Sequence, residues 1–337
     1  MDESLLPFIQ KLVILFVIAL IGGCVTHILA IVIGNKFSLY ARPSSRRLSN
    51  LPIPRSAGIA FSIAFPLLLI FGTTLTLNPL IWFGFAVVSL VGLLDDYFEL
   101  PAMWQAIGML TGITLTVFGG VVVNELSAFS GGYLHLPLWL GMLIAILWFF
   151  LVINSINWFD GMDGLAGGVS SIAILFLALL SFKVGQYDTT QGVIILLGIT
   201  VAFLLFNLPP AKLYLGSMGV YFIGFWIAFF AIQGGAKIAT TALVLLPPIV
   251  DALITIIRRF IQRKPIHLPD ANHGFHTLLR TGMSQKKVLV VYYSLTIFLG
   301  TLSFLGNTIS KVVMLVVFII ITGLTTLWLQ MNVGNKS

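Results

Sequence analysis

Two aspartates three residues apart, Asp160 and Asp163, stand in the stretch NSINWFDGMDGLAGG between Asn154 and Gly168, with long apolar runs on either side. Carboxylates inside or at the edge of a membrane are costly and tend to be functional. If the segment is helical, the spacing puts Asn157, Asp160 and Asp163 along one broad face. Gly161, Gly164, Gly167 and Gly168 let backbone or ligand approach closely. Such a face suits a cation or a phosphate-bearing molecule; the plainer reading is an Asp/Gly-rich turn between helices. A calcium loop would need a longer run of oxygen ligands.

Other stretches carry similar chemistry. LLDDYFEL (Leu93–Leu100) holds Asp95 and Asp96. Adjacent acids do not point the same way on a helix, so at a helix end one can bind metal while the other meets substrate. The plainer reading is a polar stop at the membrane edge. In FNLPPAKLYLGSMGVYFIGF (Phe206–Phe225), Asn207 suits a base or ribose and Lys212 a phosphate. Gly216 and Gly219 suit an anion near a helix N-terminus; alternatively this is a Pro-Gly turn with a snorkelling lysine. The segment Arg258–Lys287 has seven Lys/Arg with His267, His273 and His276. It reads either as a basic patch for anionic lipid headgroups or as a cap over a sugar-nucleotide diphosphate. His273 and His276 with Asp270 make an incomplete zinc set. ARPSSRRLSNLPIPRSAG (Ala41–Gly58) carries four arginines, Arg47 and Arg55 among them, and on its own reads as a juxtamembrane segment that holds topology.

The elements that must position these residues are membrane helices. The chain has 337 residues, 58% hydrophobic and only 9% charged, with mean hydropathy +1.07. A soluble domain is about a quarter charged, so this composition indicates an integral membrane protein. Windows of bilayer length predict eleven helices, near 10–34, 54–76, 79–94, 104–123, 137–154, 166–184, 190–206, 219–233, 238–257, 288–306 and 312–331. The first window is too long for the apolar region of a signal peptide and reads as retained. The single cysteine, Cys24, lies in it, which excludes an intramolecular disulfide. No linker or internal repeat is visible, so residues 1–337 read as one all-α, polytopic domain of about 10–11 helices. Repeats and polar groups near the bilayer midplane would be expected of a transporter; here the polar groups gather at one face.

With the N-terminus outside, fourteen of the eighteen Lys and Arg fall on the inner side, as the positive-inside rule favours. The cytoplasmic loops then lie near 35–53, 95–103, 155–165, 207–218 and 258–287, and the C-terminus is cytoplasmic. Topology accounts for the basic excess, so no nucleic-acid partner is expected. Seven of the eleven acids, Asp95, Asp96, Glu99, Asp160, Asp163, Asp251 and Asp270, cluster at the same face. Carboxylates beside many cations suit Mg²⁺ with a phosphate-bearing substrate.

The order DD, then NxxNxxDGxDGLA, then FNxPPAK, then a His-bearing basic loop resembles the polyprenyl-phosphate N-acetylhexosamine-1-phosphate transferases, glycosyltransferase family 4. The resemblance spans roughly residues 40–290, and DDYFELPAMW looks most like the O-antigen and teichoic-acid initiating branch. It implies an inner-membrane bacterial enzyme with a cytoplasmic cleft. The enzyme would use Mg²⁺ to transfer a sugar-1-phosphate from a UDP-N-acetylhexosamine, such as UDP-GlcNAc, to undecaprenyl phosphate, releasing UMP. The product would start a cell-wall or lipopolysaccharide polymer. By position, the resemblance makes Asp95, Asp96, Asn157 and Asp160 catalytic, with Asp96 and Asp160 on the metal. It gives Asp163, Asn207, Lys212, Arg47, Arg55, His273 and His276 to substrate, and leaves room for a homodimer.

The chain departs from the family pattern at several places. The family's GDxGS reads Gly216-Ser217-Met218-Gly219-Val220, so Ser217 replaces a metal-ligand aspartate, and a hydroxyl is a poorer Mg²⁺ ligand. Ala41, Arg47, Ser49 and Ala57 replace an acid, a lysine, a histidine and a glycine in the first loop. Met103 and Gln105 stand where basic residues are usual, and Phe275 and Thr277 replace a histidine and an arginine. These losses raise an alternative, a catalytically inactive or altered relative with a binding role.

Overall fold

The computed structural model describes residues 5–40, 52–127, 132–233, 237–263, 273–306 and 308–333. In chain order these form α1 (Leu5–Lys36), α2 (Ala57–Gly72), α3 (Pro79–Phe98), α4 (Ala102–Phe118), β1 (Glu125–Ser127), β2 (Tyr133–His135), α5 (Leu138–Phe159), α6 (Leu165–Lys183) and α7 (Tyr187–Asn207). Then come α8 (Gly216–Ile232), α9 (Ile238–Val244), α10 (Leu246–Ile261), α11 (Gly274–Arg280), α12 (Gln285–Leu305) and α13 (Thr308–Val333). Among the described residues, six helices, α1, α3, α5, α6, α7 and α12, are long and apolar enough to cross a bilayer, and α9 with α10 makes a seventh if counted as one span. The chain is a multi-pass, all-α membrane protein.

Every predicted window meets a helix, but three features differ from expectation. The window 238–257 is not one straight span: α9 and α10 meet at a bend of 75°. Pro247 and Pro248 lack the amide hydrogen a helix interior needs and are tolerated only in a first turn, so the apolar run ends one helix and starts another. A short antiparallel hairpin pairs Glu125 with His135 and Ser127 with Tyr133. The basic stretch read as a loop contains the short helix α11.

The bundle is built around α8, all seventeen residues of which are buried. A helix that is apolar on every side is stable only when surrounded. Here α2, α3 and α5 pack against it. The indole of Trp226 lies within 6 Å of the rings of Phe65, Trp82, Phe85, Phe225, Phe229 and Phe230. Close approach is set by small residues: a Cβ on Gly92 of α3 would lie 2.5 Å from Met218 Cα. That contact brings the end of α3 onto the first turn of α8. Because neighbouring helices run in opposite directions, the C-termini of α3, α5 and α7 gather with the N-termini of α2, α6 and α8 at one end of the bundle.

Candidate active site

At that end, Asp95 and Asp96 occupy the last turn of α3 and both are buried. Contrary to the expectation for adjacent acids, both carboxylates meet the same helix terminus. Asp96 Oδ1 accepts from the Ser217 amide at 2.7 Å and Asp96 Oδ2 from the Met218 amide at 3.0 Å. These are two of the first amides of α8, which no intrahelical carbonyl satisfies. Arg55 Nη2 sits 2.8 Å from Asp96 Oδ1. Gly216, at φ +69°, makes the turn into α8; a Cβ there would lie 2.6 Å from Asp96 Oδ2 and 2.8 Å from the Arg55 carbonyl oxygen.

Asp95 is held differently. Ser217 Oγ donates to Asp95 Oδ2, and Gln105 Nε2 donates to Asp95 Oδ1 at 2.8 Å. The Leu100 backbone also hydrogen-bonds to it, but no amide of α8 does. Arg55 Nη2 also reaches Ser217 Oγ at 3.5 Å. Ser217, the residue in place of the family's aspartate, therefore joins both acids through its amide and its hydroxyl.

The aspartate-rich stretch is not one helix face. Helix α5 ends at Phe159 with Asp160 as its C-cap, and residues 161–164 form a turn into α6. Glycines at 161 and 164 stop the helical run that the three-residue spacing suggested. Asp163 Oδ2 accepts from the Ala211 amide at 3.1 Å. Asn207 Oδ1 accepts from the Gly164 amide at 3.0 Å, and its Nδ2 donates to the Leu213 carbonyl at 2.9 Å. Asn207 thus pins the turn to the segment 208–215. Lys212 is exposed on that segment, whereas Asn157, Asp160 and Asp163 are half-buried.

The segment 208–215 is the hub. It accepts the Asp163 and Asn207 contacts at one end and leads into Ser217 at the other. Its middle exchanges backbone hydrogen bonds with the Arg55 stretch, Tyr214 N to Pro54 O at 2.8 Å and Ala57 N to Tyr214 O at 3.3 Å. The acid pair and the aspartate turn are therefore parts of one connected site.

The histidines lie beside it. His273 Nδ1 is 2.7 Å from Asp251 Oδ2 on α10, and the Gly274 amide donates to Asp251 Oδ1 at 2.7 Å. The carboxylate fixes the ring with its Nδ1 proton toward Asp251. His276 is buried one turn on, its ring centroid 6.4 Å from that of His273. Phe159, which precedes Asp160, packs edge-on against Phe275 and Tyr292. Tyr293 Oη donates to the Gly164 carbonyl at 2.5 Å. Helix α12 thereby braces both the aspartate turn and the histidine helix.

Arg47, His267 and Asp270 lie outside the described residues. Among the described residues, no three His, Cys, Asp or Glu side chains converge to cage a metal ion. Sequence reading missed Gln105, Tyr221 and Tyr293 as partners of the site and left Asp251 unassigned. Only the placement of Asp251 among the acids and the oddity of Gln105 had signalled them.

Residues 78–235 match glycosyl transferase family 4, a stretch that contains the acid pair, the aspartate turn, the hub and α8. Over these residues the chain is similar to that family. Similarity to curated proteins extends beyond this stretch. A probable undecaprenyl-phosphate N-acetylglucosaminyl 1-phosphate transferase of Bacillus subtilis is 28% identical over 87% of this chain and 83% of its own length. An undecaprenyl-phosphate alpha-N-acetylglucosaminyl 1-phosphate transferase of Thermotoga maritima is 28% identical over 81% of this chain and 84% of its own. A decaprenyl-phosphate N-acetylglucosaminephosphotransferase of Mycobacterium tuberculosis is 25% identical over 77% of this chain and 74% of its own.

Proposed function

We propose that this protein transfers a sugar-1-phosphate from a UDP-N-acetylhexosamine, with UDP-GlcNAc the first choice, to undecaprenyl phosphate, releasing UMP. The observation that carries the reading is the convergence of the acid pair and the aspartate turn on the segment 208–217, where the apolar helices end. A lipid acceptor arriving from the bilayer and a nucleotide arriving from water meet at such a place. The names of the relatives support the same acceptor class and sugar. The bacterial relatives support a bacterial inner membrane, and the distribution of Lys and Arg supports this end of the bundle lying in the cytoplasm.

In the reaction, an oxygen of the acceptor phosphate attacks the phosphorus attached to the sugar. A new P–O bond forms, and the bond from that phosphorus to the bridging oxygen breaks. UMP leaves with the bridging oxygen and the electron pair. Catalysis of this kind is mainly positioning and charge neutralisation. Asp95 is the acid that takes the acceptor's remaining proton, since the side chains of Ser217 and Gln105 hold it and can exchange partners when the lipid phosphate arrives. Asp96 and Arg55 hold α8 beside it. Asp163, Lys212, His273 and His276 face the nucleotide side.

Mg²⁺ keeps several waters and takes only one or two protein carboxylates besides phosphate oxygens, so the lack of a three-ligand cage among the described residues is compatible with it. Asp160 is the carboxylate for such an ion; Asp96 fits poorly, because two amides and Arg55 already engage it. A bound Mg²⁺ would neutralise charge on the diphosphate. The reading of an inactive relative gains nothing from Ser217, whose amide and hydroxyl are both engaged with the acids.

The test is transfer of label from sugar-labelled UDP-GlcNAc into a butanol extract. Label should enter the lipid phase only when undecaprenyl phosphate and the full chain are both present. Label that stays in the aqueous phase, with this and other UDP-N-acetylhexosamines, would refute the proposal.

A further inference from the structure

Gln105 of α4 stands where basic residues are usual in the family, and its amide is completely used. Nε2 donates to Asp95 Oδ1 at 2.8 Å and to the Leu100 carbonyl at 2.7 Å. Oε1 accepts from Tyr221 Oη of α8 at 2.9 Å. A side-chain amide has two donor hydrogens and one acceptor oxygen, so these three partners fix which way it faces. Turned over, its oxygen would confront two acceptors, the Asp95 carboxylate and the Leu100 carbonyl. Tyr221 is fully buried within the central helix and does not move with solvent.

We propose that Gln105 and Tyr221 are positioning residues for Asp95. The inference rests on the transferase reading and on Asp95 as its proton-accepting acid. The two residues form a relay from the rigid core to the carboxylate: Tyr221 holds Gln105, and Gln105 holds Asp95 Oδ1. On the other side, Ser217 holds Asp95 Oδ2. The carboxylate is clamped at both oxygens by the uncharged side chains of Gln105 and Ser217. This is a specific consequence of the neutral residues at 105 and 217. A lysine at 105 would pair with Asp95 electrostatically; glutamine aims it while leaving its charge for the reaction.

The test uses the full chain in detergent with UDP-GlcNAc, undecaprenyl phosphate and Mg²⁺, comparing Gln105→Leu, Tyr221→Phe and the double variant. Gln105→Leu should lower kcat about tenfold or more and Tyr221→Phe about threefold or more, each with KM for UDP-GlcNAc within about twofold. The double variant should be no slower than Gln105→Leu, because both act through one contact. Natural kcat in Tyr221→Phe, multiplicative loss in the double variant, or a raised KM at natural kcat would overturn the relay. Tyr221→Phe removes a single oxygen, so it decides the question even if Gln105→Leu fails to fold. An activity-independent readout is the infrared carboxylate band lost in Asp95→Asn, in protein labelled with ¹³C-aspartate. That band should shift in Gln105→Leu and in Tyr221→Phe, and an unmoved band would overturn the clamp. If the natural protein releases no UMP, the transferase reading falls, while the band still decides the clamp.

Discussion

Asp96 and Arg55 form a 2.8 Å ion pair inside the first turn of α8, with only 3% and 13% of their side chains exposed. The carboxylate of the same pair accepts two of the helix's own amides. The neighbouring Asp95 touches none of these amides. Two consecutive acids therefore differ in setting: one closes a helix end, and the other is the one we propose for proton transfer.

Asp96→Asn should weaken the fold. It removes the ion-pair partner in contact with the buried Arg55 and weakens a charged cap at a helix N-terminus. Removing one partner of a buried pair costs roughly 3 kcal/mol or more. The apparent melting temperature in detergent should fall by on the order of 5–10 °C. Asp95→Asn should leave it within about 2 °C. Equal melting curves for the two variants would contradict this difference in setting.

Ser217→Asp should lower activity rather than restore it. The substitution brings a third carboxylate against Asp95 and Asp96, and like charges at hydrogen-bond range disfavour ionisation. UMP release should drop about 100-fold, while Ser217→Ala, which loses only the hydroxyl contact to Asp95, should lose about tenfold. A Ser217→Asp variant faster than the natural protein would show that the site wants a further ligand.

Tyr293→Phe isolates the brace on the aspartate turn. It leaves the buried Gly164 carbonyl without its 2.5 Å donor, at a cost of about 1–3 kcal/mol. Because that turn carries Asp160 and Asp163, KM for UDP-GlcNAc should rise about threefold or more while KM for the lipid stays level. A change confined to the lipid KM would assign the turn to the acceptor.

Lys237 gives a pH signature away from the site. It is buried at the start of α9, 3.2 Å from Ser181 Oγ and 2.5 Å from Gln186 Oε1. Burial lowers its pKa from the ordinary 10.5 to about 7. Between those values the unfolded chain binds more protons than the folded one, so stability from this group rises with pH above about 7. Melting temperatures of the natural protein should climb from pH 7 to 9 relative to Lys237→Met. Parallel profiles would contradict this.

The helices were legible because each needs about twenty apolar residues and charge is scarce enough to mark their ends. The break at Leu245 was not read, because the apolar run continues through Pro247 and Pro248 and hydropathy alone cannot see a missing amide hydrogen. Asp95, Asp96, Asp160 and Asp163 stood out because acids are rare here. Their arrangement did not: the three-residue spacing suggested a helix face, whereas glycines make a turn. Gln105, Tyr221 and Tyr293 carry no charge, and their partners lie up to 129 positions away in sequence, so only the fold brings them to notice. Asn207 reads as a nucleotide-side residue from its type alone; that its amide also makes two backbone contacts is visible only in the fold.

The most direct measurement is UMP release by the purified full chain with UDP-GlcNAc, undecaprenyl phosphate and Mg²⁺, beside Asp95→Asn. The account predicts one UMP released per sugar found on lipid, and a loss of about 100-fold or more in a variant that still melts like the natural protein. Release by Asp95→Asn at the natural rate, or no release by the natural protein with any UDP-N-acetylhexosamine, would contradict it.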